Sequence, residues 1–181
     1  MHGFGTFEFK NGDIYRGMFE CGQMHGLGML RTEEGQVYRG RWENDAQSGW
    51  GFETWANGQM FSGQYRNGTK SGFGHYQWTE GNSYFGEWQV NKIHGTGTYL
   101  WSDGRVFHGQ WSENAMQGRG AYKWPDGRFY FGEYHLDKKE GQGVYKWTDN
   151  RCYLGEWKEG KQHGNGHLVL PSGPVKKVFF D

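Results

Sequence analysis

Aromatic and polar residues alternate along short stretches of this chain, and the stretches return at a fixed interval. Between residues 84 and 101, Tyr84 and Trp88 fall on one side of an extended strand, whereas Glu87 falls on the other. After a loop, the same alternation resumes at Gly95. A period of two residues is typical of a β-strand. The pattern therefore predicts β-hairpins that have one aromatic, glycine-rich face and one polar face.

The interval is 23 residues, without insertion or deletion, and three series of residues carry it. Pairs of glycines occur at Gly3/Gly5, Gly26/Gly28, Gly49/Gly51, Gly72/Gly74, Gly95/Gly97, Gly118/Gly120, Gly141/Gly143 and Gly164/Gly166. Aromatic residues two positions before a glycine are Tyr15, Tyr38, Phe61, Tyr84, Phe107, Tyr130 and Tyr153. Turn residues are Gly12, Gly35, Gly58, Gly81, Gly104, Gly127, Asn150 and Gly173. Such a repeat predicts a solenoid whose units bury their apolar faces together.

The expected fold is all-β: an elongated single-layer solenoid of stacked antiparallel β-hairpins. The series predict about 15 strands, which at ~4.8 Å per strand would extend on the order of 70 Å. On the aromatic face, each glycine is expected to leave a notch for a ring from an adjacent strand. Turns such as Asn57-Gly58 and Asp103-Gly104 are expected to use the positive φ that glycine tolerates. The histidine before several glycine pairs, as at His94, is expected in a loop.

The repeat array is predicted to cover residues 1–175, as a partial first hairpin over 1–14 followed by seven units of 23 residues. The pattern decays after Gly173, so residues 176–181 are expected to form a C-terminal cap or docking tail. Because the chain begins inside a hairpin, we expect it to be the C-terminal part of a longer repeat protein.

The charge balance argues against a polyanion-binding protein. The chain has 20 basic and 20 acidic residues, whereas a nucleic-acid-binding protein usually carries a basic excess. We therefore expect no nucleic-acid partner. No apolar run approaches the ~18–20 residues that span a bilayer. The two distant cysteines, Cys21 and Cys152, do not suggest a disulfide framework and favour a reducing, cytoplasmic environment.

No catalytic or nucleotide-binding motif stands out, so we expect neither enzymatic activity nor a cofactor. One weak metal signal occurs in the last hairpin, where Cys152, His163 and His167 cluster in the sequence. A structural zinc site usually needs four ligands. The set would therefore be completed only at a dimer interface, and the alternative is that these histidines have no role in metal binding.

The pattern Y-x-G-x-W followed by G-x-G-x-Y-x-W-x-D-G resembles the MORN repeat over about residues 1–175. Proteins with this repeat include lipid kinases, lysine methyltransferases and junctional membrane proteins, as well as proteins made almost only of repeats. The chain looks like the latter kind, similar to the cytoskeletal scaffolds of apicomplexan and trypanosomatid parasites and to small myosin-binding repeat proteins. The resemblance implies a non-catalytic scaffold, associated with the cytoskeleton or peripherally with a membrane, that binds cytoskeletal or motor-associated proteins.

The candidate binding residues are aromatic. A groove for protein partners is predicted from Tyr38, Trp42, Phe61, Trp78, Tyr84, Trp88, Trp101, Trp111, Trp124, Tyr130 and Trp147. A homodimer interface is predicted from Tyr153, Trp157, Leu168, Leu170, Phe179 and Phe180. Two alternatives stay open. One is binding of acidic phospholipids such as phosphoinositides, which the balanced charge disfavours, and the other is a regulatory array of a larger enzyme.

Overall fold

The computed structural model describes residues 2–181 and shows an all-β chain, which confirms the predicted fold class. The strands are β1 (Gly3–Glu8), β2 (Ile14–Glu20), β3 (Gln23–Arg31), β4 (Val37–Glu43), β5 (Ala46–Thr54), β6 (Met60–Arg66), β7 (Thr69–Gln77), β8 (Ser83–Gln89), β9 (Lys92–Leu100), β10 (Val106–Ser112), β11 (Ala115–Lys123), β12 (Phe129–His135), β13 (Lys138–Lys146), β14 (Cys152–Lys158), β15 (Lys161–Val169) and β16 (Val175–Phe180). They form one sheet of 16 strands in sequence order. No helix among the described residues is long and apolar enough to cross a membrane.

The chain divides into two compact units, which are described separately below. Unit 1 comprises Met1–Lys92 and unit 2 comprises Ile93–Asp181. Both units are built from the same antiparallel hairpins, so the packing found in one hairpin recurs in the next.

Buried rings on one face of the sheet form the core of each unit. The first aromatic of each first strand is fully buried, with at most 1% of its surface exposed, at Tyr15, Tyr38, Phe61, Tyr84, Phe107, Tyr130 and Tyr153. A second ring four residues later packs edge-on against the first, as Trp42 does against Tyr38 with centroids 5.1 Å apart. Edge-to-face pairs add roughly 0.5–1.5 kcal/mol beyond their buried area. The rings therefore replace the aliphatic core that this composition lacks.

Each fully buried ring lies over two glycines. Gly17 and Gly28 face each other on β2 and β3, and both are covered by the ring of Tyr15. From the sequence, each glycine is expected to be covered by a ring from an adjacent strand. In the structure, one ring covers a glycine of its own strand and a glycine of the next strand. The Tyr15 hydroxyl reaches past the pair and donates a hydrogen bond of 3.0 Å to the carbonyl of Met18. A buried phenol is satisfied in this way without a polar partner from outside the hairpin.

Two kinds of turn connect the strands. After each second strand the chain makes a three-residue loop, as in residues 102–104, where Gly104 has a φ of 88° as predicted. After each first strand it makes a two-residue turn with two positive φ values, as at Val90 and Asn91 with 47° and 63°. Such turns match the twist of the flanking strands. The second strands therefore begin earlier than predicted: His94 lies inside β9 rather than in a loop.

The second residue of the two-residue turn also joins neighbouring hairpins. Asp137 Oδ1 accepts a hydrogen bond of 2.7 Å from the Met116 backbone N–H, and the Asp137 N–H donates to the Met116 carbonyl at 3.1 Å. Asn91 makes the same pair of bonds to Lys70. These contacts satisfy backbone groups beyond the strand ladders, so the turn residue fixes the register of one hairpin on the next.

The last strand shows the conformation of the predicted C-terminal tail and changes the predicted number of strands. Residues 176–181, predicted as a cap or docking tail, contribute to the regular strand β16, which pairs with β15 through Val169 and Val175. The sheet thus has 16 strands instead of about 15. The pairing is possible without the repeat motif because Phe180 packs on Tyr153, with centroids 5.6 Å apart.

The sequence pattern predicts a polar face opposite the buried rings, but this face also carries apolar residues. In unit 1 it exposes Trp50, Phe73 and Phe85, with 62%, 52% and 59% of their surfaces accessible. In unit 2 it exposes Phe131 and Leu154 at 51% and 41%. We call this side the outer face. The glycines and rings of the motif determine only the buried side, so the outer positions are free to carry apolar residues.

Replacement of Gly28 by alanine tests the packing of the Tyr15 ring on this glycine. A Cβ atom on Gly28 would lie 2.5 Å from Cζ of Tyr15, so the ring must move out of its site. We expect Gly28→Ala to lower the free energy of unfolding by about 2–4 kcal/mol in urea denaturation. Gly22→Ala is the control, because Gly22 has a φ of 85° but open space around it. The control is expected to cost only about 1 kcal/mol, and equal losses in the two variants would contradict the steric account.

Candidate functional site

Accessible rings continue from hairpin to hairpin in unit 2. The tryptophans that directly follow β9, β11 and β13 alternate with tyrosines of the same strands, and neighbouring centroids are 4.4–5.7 Å apart. We call this set the aromatic ladder: Tyr99, Trp101, Tyr122, Trp124, Tyr145 and Trp147. Tyr122 and Tyr145 are buried and form its floor, whereas the three tryptophans are half-buried. The ladder is thus a row of ridges, one to a hairpin.

The charged groups beside the ladder are mostly neutralised by their neighbours. The guanidinium carbon of Arg128 lies 5.3 Å from the ring centroid of Trp124, and Arg128 Nε donates to Asp126 Oδ2 at 2.7 Å. Arg105 and Arg151 make the same contacts with their own tryptophan and aspartate. Each ridge is therefore flanked by a locally neutral Arg–Asp pair held by the turn.

A lysine is surrounded by rings in unit 1. Lys70 Nζ lies 4.8–5.9 Å from the centroids of Trp55, Phe61, Tyr65 and Tyr76. Its ammonium also pairs with Glu53 Oε2 at 3.1 Å. Cation–π contacts of this kind are worth more when they are removed from water. We call such a set of four rings around a lysine a box. The box of unit 1 therefore holds a cation that Glu53 neutralises.

Glu53 is the buried carboxylate that neutralises this box, with only 3% of its surface exposed. Its two oxygens accept hydrogen bonds from Gln36 Nε2 at 2.6 Å and from the Tyr65 hydroxyl at 2.7 Å. Burial raises the pKa of the Tyr65 phenol, and the nearby carboxylate raises it further. The phenol therefore stays a hydrogen-bond donor, and the arrangement is a satisfied structural network.

Lys139 occupies the corresponding box in unit 2 but has no carboxylate. Its Nζ lies 5.2–5.4 Å from the centroids of Trp124, Tyr130, Tyr145 and Trp157. The position that corresponds to Glu53 is occupied by Tyr122, 17 residues before the lysine in both boxes. Among the described residues no acidic side chain forms an ion pair with Lys139. Burial lowers the pKa of Lys139, and the positive charge of Arg128 lowers it further.

The structure separates the predicted groove residues into two classes. Seven are buried in the packing of the sheet, with at most 7% of their surface exposed: Tyr38, Trp42, Phe61, Tyr84, Trp88, Trp111 and Tyr130. The other four are half-buried and reach solvent: Trp78, Trp101, Trp124 and Trp147. Only the second class offers surface to a partner in this conformation.

The residues predicted for a homodimer interface divide in a similar way. Tyr153 and Trp157 belong to the buried rings, with 0% and 7% exposure. Leu168, Leu170 and Phe180 are half-buried, and Phe179 is 67% exposed. Of the six, Phe179 offers the largest accessible surface, and it lies on the outer face.

The three residues considered for zinc are not gathered into a site. Within residues 2–181 no group of three or more His, Cys, Asp or Glu side chains is arranged to hold a metal ion. The register explains this for the nearest two, because Cys152 lies opposite Val169 whereas His167 lies opposite Leu154. The Cys152 thiol is directed to the carbonyl of Asn150 instead, at 3.8 Å.

The outer face of unit 2 contains a groove that the sequence pattern did not indicate. Its volume is about 600 Å³, and its apolar side chains are Phe131, Val144 and Leu154. Glycines and polar side chains complete the lining, and the polar ones are Arg119, Glu133, Gln142, Glu156, Asn165 and His167. A succession of apolar residues at one outer position of consecutive strands was the only available signal. It was hidden because the same position is polar in other hairpins.

Comparison with known proteins identifies the repeat. The family model of the MORN repeat matches residues 1–14, 15–37, 38–60, 61–83, 84–104, 107–127, 130–150 and 153–175. The matched segments account for nearly the whole chain and agree with the predicted period. No curated protein sequence matches the chain.

Solved structures share the sheet but little sequence. The TCP domain of Drosophila melanogaster SAS-4, in complex with a proline-rich motif of Ana2, has a TM-score of 0.55 and 10% identity, covering 98% of this chain and 90% of that one. The G-box domain of the microcephaly protein CPAP has a TM-score of 0.52 and 14% identity, covering 99% and 100%. At such identities the similarity shows the fold alone.

Replacement of Lys70 by methionine tests the buried network of unit 1. The change leaves the carboxylate of Glu53 buried without its cation, so we expect Lys70→Met to lower the free energy of unfolding by about 3–5 kcal/mol. The double variant Glu53→Gln/Lys70→Met removes both charges and is expected to recover most of that loss. Guanidinium denaturation of the three proteins is the measurement. A double variant no more stable than Lys70→Met would contradict the ion-pair account.

Proposed function

We propose, because the chain belongs to the MORN-repeat family, that it is a non-catalytic scaffold whose aromatic ladder binds extended segments of protein partners. The observation that carries the proposal is the row of half-buried Trp101, Trp124 and Trp147, one to each hairpin of unit 2. Aromatic-lined grooves on rigid elements bind extended peptides with little loss of conformational freedom in the protein. The polar groups of the core serve the fold, since buried phenols such as Tyr130 donate to backbone carbonyls.

The structural neighbours support a peptide partner and a cytoskeletal setting. The SAS-4 domain was solved with a proline-rich motif of another protein, and the CPAP domain is described with a suggested role in centriole elongation. From these neighbours we infer only that a sheet of this type can present a peptide-binding face in a cytoplasmic, cytoskeleton-associated assembly. The finer expectation of similarity to the scaffolds of parasites rests on the sequence resemblance alone.

Acidic phospholipids are a weaker candidate for the partner. Each arginine beside the ladder is paired with an aspartate: Arg105, Arg128 and Arg151. These arginines therefore offer little unpaired positive charge to a lipid surface. Attraction to an anionic surface needs several unpaired cations, at about 1 kcal/mol each. A regulatory role in a larger enzyme remains compatible with the same ladder.

Selection of binding peptides tests the ladder while the partner itself is unidentified. Unstructured random peptides displayed on phage would be selected on the full chain and then measured as synthetic peptides by isothermal titration calorimetry. We expect selected peptides to lose at least 10-fold in affinity for Trp124→Ala, because a buried aromatic contact is a typical hot spot. Trp50→Ala is the matched control, since Trp50 lies on the outer face of unit 1. Peptides that depend on Trp50 and not on Trp124 would refute the assignment.

Self-association is the second part of the proposal, and we assign it to the outer groove of unit 2. Apolar residues follow one another across four strands there, from Ala121 through Phe131 and Val144 to Leu154. Exposed apolar patches of this kind often mark interfaces. The groove lies in the C-terminal repeats, as the predicted homodimer does, and uses accessible residues in place of the buried Tyr153 and Trp157.

Light scattering tests the homodimer. We expect the full chain to have twice the mass of one copy, and Phe131→Glu to be a monomer because it places a charge in the apolar groove. Phe85→Glu is the control, since Phe85 is similarly exposed on the outer face of unit 1. A monomeric wild-type chain, or loss of the dimer in the control alone, would contradict this assignment.

A further inference from the structure

The spacing of the ladder suggests the conformation of its ligand. Equivalent points on successive hairpins are two strands apart, which at ~4.8 Å per strand is roughly 9.6 Å. A polyproline II helix has three residues per turn and rises ~3.1 Å per residue, so its turn is roughly 9.3 Å. One turn of such a segment therefore matches one hairpin, and seven residues would extend from Trp101 to Trp147. A β-strand, with a period near 6.8 Å for two residues, would lose the match at the second ridge.

The tryptophans of the ladder have unused hydrogen-bond donors. The indole N–H groups of the core tryptophans Trp111 and Trp157 donate to carbonyls of neighbouring glycines at 3.3 and 3.4 Å. Those of Trp101, Trp124 and Trp147 donate to no atom of residues 2–181 and are not closed off from solvent. A polyproline II backbone has no internal hydrogen bonds, so its carbonyls are available as acceptors. The ladder thus offers a ring and an N–H donor at each ridge.

The positive charge of Lys139, at the centre of the ladder, has no negatively charged partner among the described residues. Lys139 Nζ lies 5.4 Å from the ring centroids of Trp124 and Tyr145, without the carboxylate that Glu53 supplies to Lys70. The four ring faces attract its ammonium, but among the described residues no carboxylate forms an ion pair with it. An acidic group of a ligand would compensate this charge where the chain itself does not.

We propose that the ladder of unit 2 binds a proline-rich segment in the polyproline II conformation, with prolines at every third position and an acidic residue over Lys139. The proposal rests on the function assigned above and names the chemistry of its partner. Prolines fill the depressions between the tryptophan ridges, and the ligand carbonyls accept hydrogen bonds from the indoles. The preformed conformation of the ligand reduces the entropy lost on binding.

The test uses the full chain and four synthetic 12-residue peptides measured by isothermal titration calorimetry. The first has proline at every third position and one central glutamate, and the second replaces that glutamate by glutamine. The third and fourth keep these two compositions with the prolines placed in adjacent pairs. We expect the first peptide to bind at least 10-fold more tightly than its paired-proline counterpart. Equal affinities for the two proline spacings would overturn the proposal.

Variants of the chain locate the binding. Trp124→Ala is expected to lose at least 10-fold in affinity for the first peptide, and Trp124→Phe, which keeps a ring but removes the N–H, to lose about 3-fold to 10-fold. Trp50→Ala is expected to be unchanged. If Trp124→Ala does not fold by circular dichroism, Trp124→Phe still decides the role of the indole donor. Wild-type affinity in Trp124→Phe would contradict that role.

The acidic contact is tested by a double-mutant cycle. Lys139→Met is expected to bind the glutamate peptide about 5-fold more weakly and the glutamine peptide as the wild type does. Lys138→Met is the control, because the neighbouring Lys138 is exposed and paired with Glu159. Equal effects of Lys139→Met on both peptides would refute the acidic preference. If phage-selected peptides require Trp124 but lack prolines three residues apart, the proposed function stands and this inference fails.

Discussion

An aromatic ring over a pair of facing glycines is the contact on which the rest of this structure depends. In each hairpin a ring such as Tyr38 lies over Gly40 of its own strand and Gly51 of the next, where even a Cβ atom would overlap the ring. The ring can reach both glycines only if they stay opposite each other. An insertion in either strand would move one of them to the other face of the sheet. The constant spacing of rings and glycines within the strands is thus a requirement of packing.

Because the rings and glycines are fixed, other positions can vary and give each hairpin its own chemistry. One such position lies near the start of every second strand, and its side chain is Met24, Gln47, Lys70, Ile93, Met116, Lys139 and Gln162 along the chain. At Lys70 and Lys139 this side chain enters a box of four rings. One repeat position differs between the two boxes: Glu53 neutralises the first lysine, whereas Tyr122 at the corresponding position of the second box carries no negative charge. Repeats that look alike in sequence therefore differ in the charge that they offer a ligand.

The two faces of the sheet offer different kinds of surface. The ladder of unit 2 combines ridges at a regular spacing with indole donors, which favours a directional ligand. The outer groove of unit 2 combines apolar and polar side chains, and one of the polar ones, Glu156, already accepts a hydrogen bond from the Asn165 backbone N–H. Such a surface is better suited to a large partner that excludes water than to recognition of a short peptide. A scaffold with both could bind a partner on one face while it assembles through the other.

The sequence by itself determined the all-β class, the hairpins, the period and the buried side of the sheet, because alternation and glycine placement are local and repeat without interruption. It also identified the family and the aromatic residues from which the proposed site is built. It could not separate Trp88, which is buried, from Trp101, which is accessible, because both are tryptophans on the same face and only packing decides which one is covered. Nor could it predict the uncompensated charge of Lys139 or the apolar outer groove. Both depend on contacts between residues of different strands, and these become neighbours only when the hairpins are stacked in register.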